Sequence, residues 1–246
     1  MLLIVAALEE EMKAGLALCR DQKKIRSPGV SLWQAARGGK TIFFLKAGVG
    51  PRRSAASLDQ ALTAVKPARV LAIGYAGALE PGLKLGDLVA VRRALLFSMD
   101  EDHPGWDHVR LDGCFELAEH EDLTRSAIAA GLNACTGDAL TSAYVLGEPA
   151  HKRILHERFH ASIVDMETAA LARVSFARAV SFSCIRAISD EVRDSFLAPF
   201  SHDPSTKMPA RVKKLMDAGM MQTLREWKVH AAVAKESLSR FLSHYL

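Results

Sequence analysis

Apolar runs of strand length, separated by polar turns and by stretches of helical periodicity, follow one another along most of this chain. Residues 2–7 are continuously apolar, the pattern of a strand buried on both faces, and residues 70–74 repeat it. Residues 161–164 and 179–188 are also strand-like, while residues 31–36 and 41–45 flank Gly38-Gly39 and predict a hairpin. Helical patterns fall at residues 51–64, 121–132, 150–156 and 168–174, the last with Leu171 and Val174 on one face. Leu224, Trp227, Ala231, Ala234, Leu238, Phe241 and Tyr245 step by threes and fours, predicting a helix over about residues 221–246 with one apolar face against the sheet. Residues 99–112, with His103, Pro104, Trp106 and His108, read as a surface excursion bordering a pocket mouth, and Pro199, Pro204 and Pro209 break the segment after residue 191. Alternating strands and helices, with no repeat and no dividing linker, predict a single α/β domain over residues 1–246.

Composition narrows the function classes. A 49% hydrophobic content over 246 residues is ample for one sizeable core. The net charge of +4 comes from Lys and Arg scattered along the chain, not from a basic run of the kind that binds nucleic acid. No apolar run reaches membrane-spanning length and residues 2–7 lack a basic lead, so a cytoplasmic protein without stable membrane insertion is expected. Cys19, Cys114, Cys135 and Cys184 are far apart, with no His at ligand spacing, which predicts free thiols, no metal and no cofactor.

Candidate chemistry sits where strands give way to turns or helices, the edge at which open α/β sheets bind ligands. Val164-Asp165-Met166-Glu167-Thr168 carries two carboxylates out of an apolar run and into a helix, and three more, Glu9, Glu10 and Glu11, follow the first strand. Three consecutive acids cannot all face one way. Glu9 and Glu10 suit the positive end of a helix. In Ala47-Gly48-Val49-Gly50-Pro51, glycines between strand and helix allow a sugar or anion to approach the backbone, although a simple tight turn explains them equally well. Tyr75-Ala76-Gly77-Ala78 reads as a small-residue loop after a buried strand, and the run ending in Ile188-Ser189-Asp190 closes on another acid.

Taken together, Ala-Leu-Glu-Glu-Glu at 7–11, Leu-Lys-Leu-Gly-Asp-Leu-Val at 83–89, Val-Asp-Met-Glu at 164–167 and Arg-Ala-Ile-Ser-Asp at 186–190 resemble the nucleoside phosphorylase and nucleosidase superfamily, particularly its methylthioadenosine/S-adenosylhomocysteine nucleosidase branch. The resemblance covers residues 2 to about 191. It implies a three-layer α/β/α fold around a central mixed, twisted sheet, cleavage of an N-glycosidic bond in a purine nucleoside, and a homodimer in which one subunit lines its neighbour's pocket.

Carried onto this sequence, the resemblance makes Asp190 the acid that protonates N7 of the base, which requires a buried, protonated carboxyl, and Glu11 the base that takes a proton from water. Arg186 holds that water or the carboxylate. Glu167 accepts hydrogen bonds from the ribose hydroxyls, Met166 packs on the sugar, Tyr144 and Val145 face the base, and Gly48, Ala76, Gly77 and Ser189 complete the binding surface, with Asp165 structural. Phosphorylases of the superfamily carry a Gly-Asp-x-x-Arg type loop after the first strand. Ala-Leu-Glu-Glu-Glu stands there instead, and a carboxylate repels phosphate while activating water, which favours hydrolysis. Arg52 and Arg53 beside Gly50 are the counter-argument for phosphate as nucleophile. Tyr75 replaces a small hydroxyl residue of the methylthioadenosine nucleosidases. Together, Val-Asp-Met-Glu and the extended tail resemble hopanoid-associated members linked to release of adenine from adenosylhopane. A nucleoside-binding module without turnover is the non-enzymatic alternative.

Overall fold

The computed structural model describes residues 1–99, 105–195 and 210–246. In chain order its elements are β1 (Leu2–Ala6), α1 (Glu9–Leu16), β2 (Arg20–Ile25), β3 (Ser31–Arg37), β4 (Lys40–Lys46), α2 (Pro51–Val65), β5 (Arg69–Ala78), β6 (Leu88–Met99), β7 (Val109–Glu116), α3 (His120–Ala129), β8 (Ala134–Thr141), α4 (Pro149–Phe159), β9 (Ile163–Asp165), α5 (Thr168–Ala177), β10 (Ser181–Asp190) and α6 (Ala210–Tyr245). These strands form one mixed sheet in the order β10-β6-β8-β9-β5-β1-β4-β3-β2, with β7 added on β6. A further pairing of β10 with β5 closes β5, β9, β8, β6 and β10 into a ring.

Helices cover both faces, as the α/β/α expectation requires. On one face α2 and α5 pack Leu58, Ala61, Leu62, Ala169, Leu171 and Ala172 against Leu3, Val5, Val70 and Ala72. On the other, α1, α3 and α6 pack Met12, Leu123, Ala127, Ala234, Leu238 and Phe241 against Ile4, Phe44, Leu71 and Ile73. Strand residues of alternating parity thus feed opposite layers, which is why β1 and β5 read as unbroken apolar runs. Each fully buried Leu or Ile contributes about 1.5–3 kcal/mol.

Three strands and part of a fourth were not legible. β2 is exposed along nearly its whole length and carries Arg20, Asp21, Lys23 and Lys24, so it has no apolar face to betray it. β7 is likewise mostly exposed. β8 buries Asp138 in mid-strand, where the Arg92 and Arg93 side chains neutralise it at 3.1 and 2.5 Å. Tyr75–Ala78, expected as a loop, continues β5, held by β10 on one side and β9 on the other. Its small residues leave room for neighbouring side chains: a Cβ on Gly74 would overlap the Arg186 guanidinium and lie 2.9 Å from Glu11 Oε1.

The C-terminal helix begins at Ala210, well before residue 221. Ala231, Ala234, Leu238 and Phe241 of its expected face are buried and Tyr245 half-buried, while the side chains of Leu224 and Trp227 lie outside the described residues. Pro199, Pro204 and Pro209 are outside them too, as are His103 and Pro104 of the expected pocket-mouth loop. Of the residues described there, Met99 ends β6, Trp106–His108 form a short 3-10 turn with Trp106 stacked on His151 at 4.6 Å, and Val109 onward begins β7.

Candidate functional site

Strands β1, β4, β5 and β10 run parallel, so their C-terminal ends share one edge of the sheet. Gly77 stands at its centre. Val164 of β9 pairs with it on one side, and on the other an irregularity between Ile188 and Asp190 brings Asp190 opposite it. A bulge of this kind re-aims a side chain. Here it sets the Asp190 carboxylate so close to the strand that a Cβ on Gly77 would sit 2.6 Å from Oδ2.

A cavity of about 160 Å³ opens at this edge, and its wall includes Glu11, Asp165, Met166, Glu167, Ser189 and Asp190, together with Tyr75, Ala76, Gly77, Tyr144 and Val145. Of the sequence-predicted residues, Gly48 and Arg186 are not on that wall. Gly48, at φ +85°, turns the chain beneath the Arg53 side chain and donates its N–H to the Ala7 carbonyl at 3.1 Å, while Val49 reaches the cavity instead. The amide of Gly50 is also committed within the protein, donating to Glu167 Oε1 at 2.8 Å. The glycine turn therefore holds a carboxylate of the protein where the sequence suggested a ligand. None of the described residues of the 99–112 stretch lines the cavity.

Arg186 lies under the floor, almost fully buried. Its guanidinium pairs with Asp165 Oδ2 at 2.9 Å, donates twice to Thr168 Oγ1 at 2.8 and 3.2 Å, and stands 3.8 Å from Glu167 Oε2. Asp165 is satisfied from every side. Besides Arg186 it accepts from Thr141 Oγ1 at 2.9 Å, from the Glu167 and Thr168 amides at 3.2 Å, and from the Thr168 hydroxyl. It thereby ties the amides that lead into α5 to Arg186 and fixes the turn.

Glu11 and Glu167 are served less well. Glu11 accepts the amides of Leu8 at 2.7 Å and Tyr75 at 2.9 Å. Four buried carboxylates (Glu11, Asp165, Glu167, Asp190) face two buried cations, Arg186 and Lys152, and the closest pairings go to Asp165 and Asp190. Burial consequently raises the Glu11 carboxyl above its ordinary value despite the opposing charge of Arg186. Burial also pushes Glu167 up to about 7, with the charges of Asp165 and Glu11 adding to the rise. Arg186, against the same burial, is held firmly protonated by Asp165, Glu167 and Glu11. Glu9 and Glu10 are exposed on α1, where Glu9 pairs with Lys13 at 2.7 Å, the helix-end role expected of them.

Lys152 had no signal in the sequence beyond its place in a helical stretch beside Arg153. Its side chain is fully buried, and Nζ donates to Asp190 Oδ2 at 2.5 Å and to the Glu191 carbonyl at 2.7 Å. Ser189 Oγ donates to the other oxygen, Oδ1, at 2.9 Å. Asp190 is buried as expected, but its closest partner is a lysine from α4, 38 positions away in the chain. Tyr75 lines the cavity, and burial, with the nearby charges of Glu11 and Glu10, raises its phenol well above the ordinary value. Val49 and Tyr144, 45% and 51% exposed, form an apolar rim.

Solved structures of this shape exist. The 5′-methylthioadenosine/S-adenosylhomocysteine nucleosidase of Helicobacter pylori, in complex with butyl-thio-DADMe-Immucillin-A, superposes with a TM-score of 0.77 at 19% identity, covering 98% of this chain and 95% of that one. Futalosine hydrolase from the same organism gives 0.75 at 20% identity, over 99% and 96%. The corresponding nucleosidase of Neisseria meningitidis, in complex with methylthio-immucillin-A, gives 0.73 at 19% identity, over 98% of each chain. At these identities the likeness is one of fold. The sequence itself decides the family: the Phosphorylase superfamily model matches residues 2–243, nearly the whole chain, and the protein belongs to that superfamily.

Proposed function

We propose that the protein is an enzyme that cleaves the N-glycosidic bond of a purine nucleoside of the adenine type with water, releasing the free base. The observation that carries this reading is the meeting of Glu11, Glu167 and Asp190 on the wall of one cavity whose lining contains no Arg or Lys among the described residues. Glycosidic cleavage needs a donor for the departing base, a holder for the ribose and a group to orient the nucleophile. Asp190 faces the base and gives the proton to N7. Glu167 takes the ribose hydroxyls, Met166 packs on the sugar, and Glu11, a carboxyl raised by burial, takes the proton from water. Arg186 positions Asp165 and Glu167 from beneath. Tyr144 and Val145 flank the base, and Ala76, Gly77 and Ser189 shape the wall.

Water is favoured over phosphate by charge. A phosphate dianion entering beside four carboxylates needs cations on the wall, and Arg52 and Arg53 both lie exposed on α2, off it. The apolar rim of Val49 and Tyr144 favours an apolar 5′ substituent, the feature a hopanoid-linked substrate would share. We read the protein as a cytoplasmic homodimer, and sedimentation at micromolar concentration tests the second half of that statement.

A screen of purine nucleosides, including bulky and apolar 5′-substituted ones, with chromatographic detection of the released base, tests the reading. Adenine release from at least one member is expected. Tight binding of nucleosides with no base release would instead identify a binding module.

A further inference from the structure

We propose that Lys152, acting through Asp190, is the proton store of the glycosidic cleavage and the positioning residue for its acid; this rests on the purine nucleosidase reading above. Lys152 is fully buried on α4, on the same face as the core residue Leu155. It does not line the cavity, whereas Asp190 does. Nζ lies 2.5 Å from Asp190 Oδ2 and is steered by the Glu191 carbonyl at 2.7 Å, so the ammonium is aimed at the carboxylate from behind. Ser189 fixes the second oxygen at 2.9 Å, and the carboxylate packs into room that only a glycine at position 77 leaves open. A buried ion pair adds little stability over an apolar pair of the same volume, so folding alone gives no reason for a lysine at this core position.

The pair resolves a difficulty in the mechanism. An acid that gives its proton to the base must be resupplied, and Lys152 Nζ, hydrogen-bonded to Oδ2 at 2.5 Å, is the donor placed to do so. In the proposed step one Nζ–H bond of Lys152 breaks as an O–H bond forms on Asp190, and the carboxyl passes its proton to N7 of the base. The C1′–N9 bond breaks with its electron pair going to the base, which leaves neutral. Water adds its oxygen to C1′ and loses a proton to Glu11. Lys152 is left as the neutral amine beside the Asp190 carboxylate and regains a proton from solvent once the base has departed, while Glu11 releases to solvent the proton it took from water. Atoms and charge balance with no further reactant.

Lys152→Met, Lys152→Arg, Asp190→Asn and the Lys152→Met/Asp190→Asn double variant, each checked for folding by circular dichroism, test the proposal on the purine nucleoside the wild-type protein cleaves best. Lys152→Met is expected to lose about 10²–10⁴-fold in kcat, the span of general acid catalysis, with KM changed less than about three-fold. The double variant is expected to be no slower than Asp190→Asn, because the lysine acts through the acid. Lys152→Arg keeps the charge but does not release a proton at working pH, so it is expected to stay as slow as Lys152→Met. Wild-type kcat in Lys152→Arg or Lys152→Met overturns the proposal, as does a double variant slowed by the product of the single losses. Should Lys152→Met fail to fold, the Lys152→Arg result decides. A wild-type protein that releases base while Asp190→Asn keeps full kcat removes the acid itself, and one that releases no base from any purine nucleoside sinks the nucleosidase reading and this proposal with it.

Discussion

Replacing Glu167 by Gln tests the charge imbalance beneath the cavity. Glu167 has moved from an ordinary 4.5 to about 7 in the folded protein, chiefly because it is buried and Arg186, at 3.8 Å, offsets that burial only in part. Between those values the folded protein holds a proton that the unfolded chain has lost. Stability therefore falls as pH rises from about 4.5 to about 7 and levels off above, since the unfolded state binds fewer protons over that window. The interval corresponds to about 3 kcal/mol of destabilisation at pH 8. Gln cannot ionise, yet it keeps an oxygen for the Gly50 amide and nearly the same volume. The variant should thus gain on the wild type as pH rises. About 2.5 kcal/mol of this develops between pH 5 and pH 8, so at about 2–4 °C per kcal/mol for a domain of this size its Tm relative to wild type should climb by about 5–10 °C over that range. Differential scanning fluorimetry at half-unit pH steps measures this, and contributions from the other titrating groups largely cancel in the difference. A Tm difference that stays flat across the range, or narrows with pH, would refute the assignment of Glu167 as an under-compensated buried carboxylate.

Other consequences are tested more simply. Wild-type KM for the nucleoside should fall as pH rises through about 7, because only ionised Glu167 accepts both ribose hydroxyls; steady-state kinetics from pH 6 to pH 8 check this. Arg186→Met leaves Asp165 without its ion pair at 2.9 Å and should cost about 3–5 kcal/mol in denaturant unfolding; a loss below about 1 kcal/mol would mean the carboxylates need no cation. Gly77→Ala places a Cβ 2.6 Å from Asp190 Oδ2, and since a displacement of about 1 Å costs about 10²-fold, kcat should drop by that order with folding preserved. An unchanged kcat in that variant would show that the carboxylate position is not critical.

The sequence was most legible where residues are buried on both faces or where chain chemistry forces a turn. β1, the start of β5, the β3–β4 hairpin and α2 with Pro51 in its first turn were readable for that reason. β2 was not, because this exposed edge strand is held mainly by backbone pairing with β3, and backbone pairing leaves no mark on side-chain pattern. At the site, the acids could be read because each ends an apolar run. Their partners could not. Whether Gly50 offers its amide to a ligand or to Glu167 depends on a contact 117 positions away, and the Lys152–Asp190 pair on one 38 positions away. A lysine beside an arginine on a short helix looks like a solvated face until the fold shows which of the two points inward.

The most direct measurement of the central claim is the product formed from a cleaved purine nucleoside in phosphate-free buffer and in buffer with phosphate. Hydrolysis at a carboxylate-lined cavity predicts free base and free ribose at the same rate in both, with oxygen-18 from labelled water at C1′. Base release that requires phosphate and yields ribose 1-phosphate would contradict it.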